Sequence, residues 1–327
     1  MTPATAPAPR PHPMGGAIPL PPQIGPAHPA PYPQSPHCLW VNSGRAALEC
    51  ILRSMPQRPQ RVWLPRFICD TVAEPLQRLG LPIARYAVDA QLQPILPAGV
   101  TAQDAFVAVN YFGLTPQAVA TAAAVLPCPV IADATTAFYY TPPQGVAAFY
   151  SPRKFTGMAD GGIACAPWPL PRTLPQDTGS TRRTQQLQTH YTPQHVQAAE
   201  DALSHTPPMR LGPLSCQLML ATNWPQAAAR RIRNYTLLHR ALGGINRLQL
   251  PAQAPAAPMC YPLVCGIPGL RDSLIDAGIR LPLYWPEVIE ATAAHEQENA
   301  LARNLLPLPL DQRYTAADMH WLLQHIL

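Results

Sequence analysis

Lys154 is the residue that most clearly invites a chemical role, because it is the only lysine among 327 residues that include 22 arginines. Exposed lysine and arginine are weakly constrained and exchange readily, but arginine stays protonated and cannot act as an amine nucleophile. A lysine whose pKa is lowered can attack a carbonyl group and hold it as a Schiff base. Lys154 is therefore a candidate for covalent chemistry, the alternative being a surface lysine retained by chance.

The sequence around Lys154 places it in a loop between two strands. Ser151 stands three residues before the lysine, after a short apolar run, and Gly161 and Gly162 open a second apolar run. This pattern predicts a strand, a loop, a tight turn and a strand. A hydroxyl at that spacing suits a cofactor phosphate. Ser-x-x-Lys also occurs in acyl-transfer enzymes, where the serine opens a helix, and Pro152 disfavours that alternative here.

Asp133 follows a predicted buried strand over residues 130–132. Residues just past the carboxyl end of a parallel strand face the ligand crevice of an α/β sheet. An aspartate there can keep a pyridine nitrogen protonated, as a pyridoxal phosphate cofactor requires. The commoner alternative for a lone aspartate is a helix cap or a loop residue.

A third candidate feature is the start of a helix. Asn42, Ser43 and Gly44 precede apolar residues at helical spacing, in the place of a cap. A helix N-terminus offers free N–H groups and the positive end of a dipole to an anion. Most such caps bind nothing, so this feature gains weight only from the other two.

Taken together, these features resemble the DegT-type aminotransferases, often called the sugar aminotransferase family, of the fold-type-I pyridoxal phosphate enzymes. The resemblance runs from about Leu39 to the C-terminus. The segments that carry it, in chain order, are residues 42–48, 63–69, 109–113, 131–134, 151–154 with 160–162, and 308–315.

The resemblance implies an α/β fold, with a large domain built on a mainly parallel wound sheet and a small C-terminal α+β domain. It implies that Lys154 forms the Schiff base with pyridoxal 5'-phosphate and that Asp133 meets the pyridine nitrogen. It also implies a homodimer, an amino donor and a keto-sugar or related carbonyl acceptor. The other cofactor-binding residues that we infer on this basis are Ser43, Gly44, Arg45, Thr136 and Ser151, with Phe67 or Tyr111 stacking on the ring.

Several positions depart from the family pattern. Thr136 stands where many members have glutamine, Asn110 replaces a histidine, and Arg45 replaces a threonine. Two alternatives therefore stay open: another pyridoxal phosphate reaction, such as decarboxylation, elimination or racemisation, and a non-catalytic relative of the fold. No arginine can be assigned to a substrate carboxylate from sequence, although Arg45, Arg210 and Arg313 are candidates.

Composition argues against several other functions. The net charge of +5 comes from dispersed arginines, which disfavours nucleic-acid binding. No run of eighteen apolar residues predicts a membrane span. Eight cysteines in apolar surroundings, without a Cys-x-x-Cys pair, predict free thiols in a reducing, cytoplasmic compartment and neither disulfides nor metal sites. They lie at positions 38, 50, 69, 128, 165, 216, 260 and 265.

The chain divides into three predicted parts. Residues 1–37 are rich in proline and poor in charge, which predicts a disordered tail. Residues 38–224 alternate strands and helices, as expected for the large cofactor-binding domain. Residues 225–327 begin with a long helix and continue as the small domain.

Overall fold

A computed structural model describes residues 13–19, 25–29, 31, 37–189 and 192–327. Among these residues there are eleven strands and eleven α-helices. The strands are β1 (Met14–Gly15), β2 (Cys38–Val41), β3 (Val62–Pro65), β4 (Ile83–Tyr86), β5 (Ala105–Val109), β6 (Val130–Ala134), β7 (Ala147–Tyr150), β8 (Gly162–Cys165), β9 (Tyr261–Leu263), β10 (Ile279–Arg280) and β11 (Leu306–Leu308). The helices are α1 (Gly44–Ser54), α2 (Ala73–Arg78), α3 (Pro116–Val125), α4 (Ser180–Thr189), α5 (Pro193–Asp201), α6 (Pro213–Ala221), α7 (Trp224–Leu242), α8 (Leu270–Asp276), α9 (Pro286–Ala291), α10 (Gln297–Asn304) and α11 (Ala316–Leu323).

A seven-stranded sheet forms the centre of the molecule, in the order β2-β8-β7-β6-β5-β3-β4. Strands β4, β3, β5, β6 and β7 are mutually parallel, whereas β8 is antiparallel to β7 and to β2. The residues of β5, β6 and β7 are all buried, which explains their continuous apolar runs. The predicted α/β class with a mainly parallel sheet is confirmed.

The parallel strands end at one edge of the sheet, and the candidate residues follow those ends. Asp133 in β6 is the register partner of Val109 in β5 and of Phe149 in β7. Ser151 follows β7 directly, and a single 3-10 turn over Pro152–Lys154 comes next. The sheet therefore brings Asp133 and the Ser151–Lys154 turn to neighbouring positions.

The C-terminal part contains two small sheets. Strand β9 pairs with β11 in antiparallel fashion, and the long helix α7 packs against β9 and α11. Helix α11 starts with a capping box, in which Thr315 and Asp318 each satisfy the other's backbone N–H. The domain boundary at residue 224 stays a prediction. Among the described residues, no helix is both long enough and apolar enough to cross a bilayer.

Two findings differ from the sequence predictions. Met14 and Gly15, inside the predicted disordered tail, form β1, which pairs in parallel with β10. Met14 is 1% exposed because its side chain joins the hydrophobic core, which the low charge of the segment allows. Residues 1–12, 20–24, 30 and 32–36 of that tail lie outside the described residues.

The prediction that all cysteines are free is wrong for one pair. Cys38 and Cys165 face each other across β2 and β8, with their Cα atoms 4.2 Å apart, and form a disulfide. Directly opposed residues of an antiparallel pair come close enough for this bond. The other six cysteines are free thiols.

Candidate active site

Lys154 lines a cavity of about 860 Å³ between the sheet edge and the C-terminal part. Its Nζ donates a hydrogen bond to Thr135 Oγ1 at 3.3 Å. Lys154 is an exposed residue that borders this cavity, yet neighbouring protein atoms displace water from around its amine. Desolvation therefore lowers the pKa of Lys154, and the negative charge of Asp133 opposes that shift. A lowered amine pKa is the property that a nucleophilic lysine requires.

Asp133 lies beneath this amine, near the end of β6. The residue is 2% exposed, and its carboxylate accepts a hydrogen bond from Thr135 N at 2.8 Å. Burial raises the pKa of Asp133, while Lys154 and the Thr135 N–H act in the opposite direction. The carboxylate and the amine thus each favour the charged form of the other in a site that disfavours both charges.

The start of α1 lies next to these residues. Ser43 caps the helix, its Oγ accepting from Ala46 N at 3.1 Å, which leaves the amides of Gly44 and Arg45 without an intrahelical acceptor. A Cβ on Gly44 would lie 3.3 Å from Thr135 Cγ2 and 3.7 Å from Ser151 Cβ. The start of α1, Thr135 and Ser151 therefore border one small space near the lysine.

Gly162 explains how the helix comes so close to the sheet. A Cβ at Gly162 would lie 2.1 Å from Ser43 O and 2.7 Å from Gly44 N, distances that no side chain permits. The second glycine of the Gly161–Gly162 pair thus lets β8 pack directly against the entry to α1. The sequence predicted a turn here, and the structure adds a close backbone approach.

The Arg45 side chain points away from this space, toward an anion. Its Nη1 pairs with Glu74 at 2.9 Å, and its Nη2 pairs with Glu200 at 3.1 Å. Glu200 also pairs with Arg153. Burial alone would raise the pKa of Glu200, but Arg153, Arg45 and Lys154 outweigh burial and lower it. Glu200, which also lines the cavity, thus lies among three cationic side chains, those of Arg153, Arg45 and Lys154.

Three predicted cofactor residues lie elsewhere. Thr136 is buried, and its Oγ1 accepts from Phe112 N and donates to Asn110 O, a purely structural role. Phe67 and Tyr111 pack in the core, where Tyr111 Oη donates to Phe67 O at 2.6 Å and both rings contact Trp285. Of the predicted site residues, only Lys154 is among the described residues that line the cavity; Thr136, Phe67 and Tyr111 lie apart from it, and Ser43, Gly44, Arg45, Asp133 and Ser151 lie behind its wall, next to Thr135 or Lys154.

Sequence reasoning missed other residues of the site. Thr135 contacts Lys154 and Asp133, and the Asp-x-Thr spacing of an Asx turn was the available signal. Glu200 carries no such signal, because α5 is brought to the site only by tertiary packing. Arg153 precedes the lysine directly and was overlooked as its neighbour.

No protein-family model matches the chain, and no curated protein sequence matches it. Several solved structures do match the chain in fold. CalS13, a sugar aminotransferase from Micromonospora echinospora, is 19% identical, with 89% of this chain and 87% of that chain covered and a TM-score of 0.64.

Two further structures align over the same share of this chain. DesV from S. venezuelae is 17% identical, with 84% of that chain covered and a TM-score of 0.63. 3-Amino-5-hydroxybenzoic acid synthase is 20% identical, with 86% of that chain covered and a TM-score of 0.59. The chain therefore has the predicted fold, that of the fold-type-I aminotransferases.

Proposed function

We propose that this chain is a pyridoxal phosphate-dependent aminotransferase of the DegT type, which transfers an amino group from an amino donor to a keto-sugar or related carbonyl compound. One observation carries the proposal. The only lysine of the chain is desolvated, faces a large cavity and lies beside a buried aspartate at the carboxyl edge of a parallel sheet. The names of the structurally similar proteins support the same activity.

The residues present fit the cofactor. Lys154 would hold it covalently through Nζ, and the buried carboxylate of Asp133 would pair with its ring nitrogen. The amides of Gly44 and Arg45, with the Ser151 hydroxyl, offer donors to its phosphate. Ser151 Oγ makes no hydrogen bond within the described part of the chain, so it is available for this role. The bound cofactor supplies an electron sink for carbanion chemistry.

The protein contributes acid–base chemistry. Burial lowers the pKa of Lys154, so that a larger fraction of its amine is neutral at a given pH than in an ordinary lysine. Such an amine can accept a proton from the substrate carbon that carries the amino group and return it elsewhere. Asp133 stays in place because Thr135 N holds its carboxylate.

The test is covalent trapping at Lys154. We expect purified protein to gain a yellow colour with pyridoxal phosphate and, after borohydride reduction, to carry the cofactor mass on the peptide containing Lys154. Lys154→Arg should remove this mass while the fold, followed by circular dichroism, persists. A colourless protein that carries no adduct after reduction contradicts the proposal.

Transamination is distinguished from other reactions by its products. Incubation with glutamate should yield 2-oxoglutarate, and carbon dioxide release or racemised glutamate would instead favour a different reaction. We further propose a homodimer, because the fold builds such sites across a subunit interface in the family that the sequence resembles; light scattering would test it. The cytoplasmic location stays a prediction.

A further inference from the structure

The N-terminal segment forms one wall of the cavity that contains Lys154. Residues 15–18 line the cavity and are fixed in place by several bonds. Gly15 N donates to Tyr314 Oη at 2.6 Å, and the Arg313 guanidinium donates to Gly16 O and Ala17 O at 3.1 Å each. The segment is therefore a fixed part of the cavity wall.

Arg231 provides a buried positive charge in the same cavity. The residue is 1% exposed and belongs to α7. Its Nε donates to Gln312 Oε1 at 2.9 Å, and its Nη1 donates to Pro258 O and Met259 O at 3.0 and 3.1 Å. Its guanidinium carbon lies 4.8 Å from the centre of the Phe155 ring.

The Arg231 charge lacks a carboxylate partner. Among the described residues, none forms an ion pair with Arg231, and its Nη2 donates no hydrogen bond. The carboxylate of Asp311, which also lines the cavity, attracts Arg231 but forms its ion pair with Arg313 at 2.8 Å. A buried guanidinium that no carboxylate contacts directly is costly, and an anionic ligand would compensate it with a charge-assisted hydrogen bond.

The rest of the wall is mainly aliphatic. Asparagine, glutamine, serine and histidine are missing from the described residues that line the cavity. Of the polar side chains that do line it, Arg153 and Glu200 pair with each other, Asp311 pairs with Arg313, and Thr156 Oγ1 donates to Pro152 O, which leaves Lys154, Arg231, Arg280 and Tyr284 for a ligand. A polyhydroxylated sugar needs several amide, hydroxyl or imidazole groups, because each desolvated hydroxyl costs free energy unless it is hydrogen-bonded. The aliphatic side chains that face the cavity include Ile18, Leu187, Val196, Ile275, Ile279 and Leu281.

We propose that this cavity binds a carbonyl substrate with an apolar body and a carboxylate, which pairs with Nη2 of Arg231, in preference to a polyhydroxylated sugar. The apolar body lies between the N-terminal segment and the aliphatic wall. The proposal rests on the proposed aminotransferase function for its chemistry, and it selects the related carbonyl compound over the keto-sugar as acceptor.

The experiment measures binding to the full chain by calorimetry, with 3-phenylpropanoate, its neutral analogue 3-phenylpropan-1-ol, and uridine diphosphate glucose as probes. We expect the carboxylate to bind at least about tenfold more tightly than either other probe, as one charge-assisted hydrogen bond predicts. Arg231→Gln should abolish this preference, whereas Arg230→Gln, at the exposed neighbour on α7, should keep it.

A second pair of variants keeps the test decisive if Arg231→Gln does not fold. Ile275 lines the cavity and is 47% exposed, and Ile245 is 40% exposed outside it. Ile275→Asn should weaken both phenyl probes by about threefold to tenfold, and Ile245→Asn should weaken neither. Equal affinity for acid and alcohol, tighter binding of the nucleotide sugar, or loss of the acid preference in Arg280→Gln alone would overturn the proposal.

Failure of this proposal is separable from failure of the proposed function. Trapping of the cofactor on Lys154 without a preference for the carboxylate probe overturns the substrate class and leaves the aminotransferase intact. A preference for the carboxylate probe without an adduct on Lys154 leaves the binding site intact and overturns the aminotransferase.

Discussion

Lys154 and the buried Asp133 form a pair whose charges depend on each other. Desolvation favours the neutral amine and the neutral acid, and attraction between the two favours their charged forms. Other charges reach the amine more weakly: those of Cys69 and Glu200 raise its pKa, and that of Arg153 lowers it. The reactivity of Lys154 is therefore set by the balance of burial against one carboxylate.

This balance predicts how acetylation of Lys154 depends on pH. Only the neutral amine reacts, so the rate should rise with pH through a midpoint below the ordinary lysine pKa of about 10.4. Asp133→Asn keeps the acceptor for Thr135 N but removes the charge that raises the lysine pKa, so its midpoint should fall further. The rate is followed by mass spectrometry on the peptide that contains the only lysine.

Asp89→Asn is the matched control for this series, because Asp89 also caps backbone amides, those of Gln91 and Gln93, in a loop. Its midpoint should equal that of the unsubstituted chain. A midpoint that rises in Asp133→Asn would contradict the coupling of the two groups.

Among individual residues, the sequence predicted those that make local contacts and missed those whose position depends on tertiary packing. Lys154 was found because it is the only lysine of the chain, Ser151 because it stands three residues before that lysine, and Asp133 because it follows an apolar strand. The orientation of Phe67 and Tyr111 depends on Trp285, which is far away in sequence, so their burial in the core was not predictable. Nothing in the sequence distinguished Arg231 from the other arginines among the 22 of the chain.

Strand β8 and the start of helix α1 are in direct backbone contact beside the proposed phosphate site. Gly162 permits it, because any side chain there would overlap the backbone of Ser43 and Gly44. Strand β6 was predicted over residues 130–132 and spans Val130–Ala134, since a continuous apolar run marks it. Helix α4 was missed because Ser180–Thr189 is almost entirely polar and shows no apolar stripe.

Gly162→Ala should therefore damage both stability and cofactor binding. The methyl group must displace the start of α1, which we expect to cost about 3 kcal/mol in the free energy of unfolding. The displaced amides of Gly44 and Arg45 should also weaken binding of pyridoxal phosphate. Denaturant titration and absorbance titration measure the two effects.

Gly99→Ala provides the control, because a Cβ on Gly99 meets no atom within 4 Å. Its stability and cofactor affinity should remain those of the unsubstituted chain. Unchanged cofactor affinity in a folded Gly162→Ala protein would exclude the start of α1 from the phosphate site.

Over the whole molecule, two connections join segments that are far apart in the sequence. The N-terminal segment reaches the C-terminal part through β1 and β10, and the Cys38–Cys165 disulfide joins β2 to β8. Neither was predictable from composition. A proline-rich segment has no periodicity that reveals a partner, and two cysteines 127 residues apart give no local signal of their pairing.

The disulfide closes a long loop and should contribute to stability mainly by restricting the unfolded chain. For a loop of this length, we expect Cys38→Ser or Cys165→Ser to lower the free energy of unfolding by about 4 kcal/mol. Dithiothreitol should lower the stability of the unsubstituted chain to the same value and leave both variants unchanged. Cys265→Ser, at a half-buried free thiol, should behave like the unsubstituted chain. The contrary result would be native protein, purified without reductant, in which both Cys38 and Cys165 react with an alkylating agent and dithiothreitol does not change the stability. In that case backbone hydrogen bonds and packing alone hold β2 and β8 together.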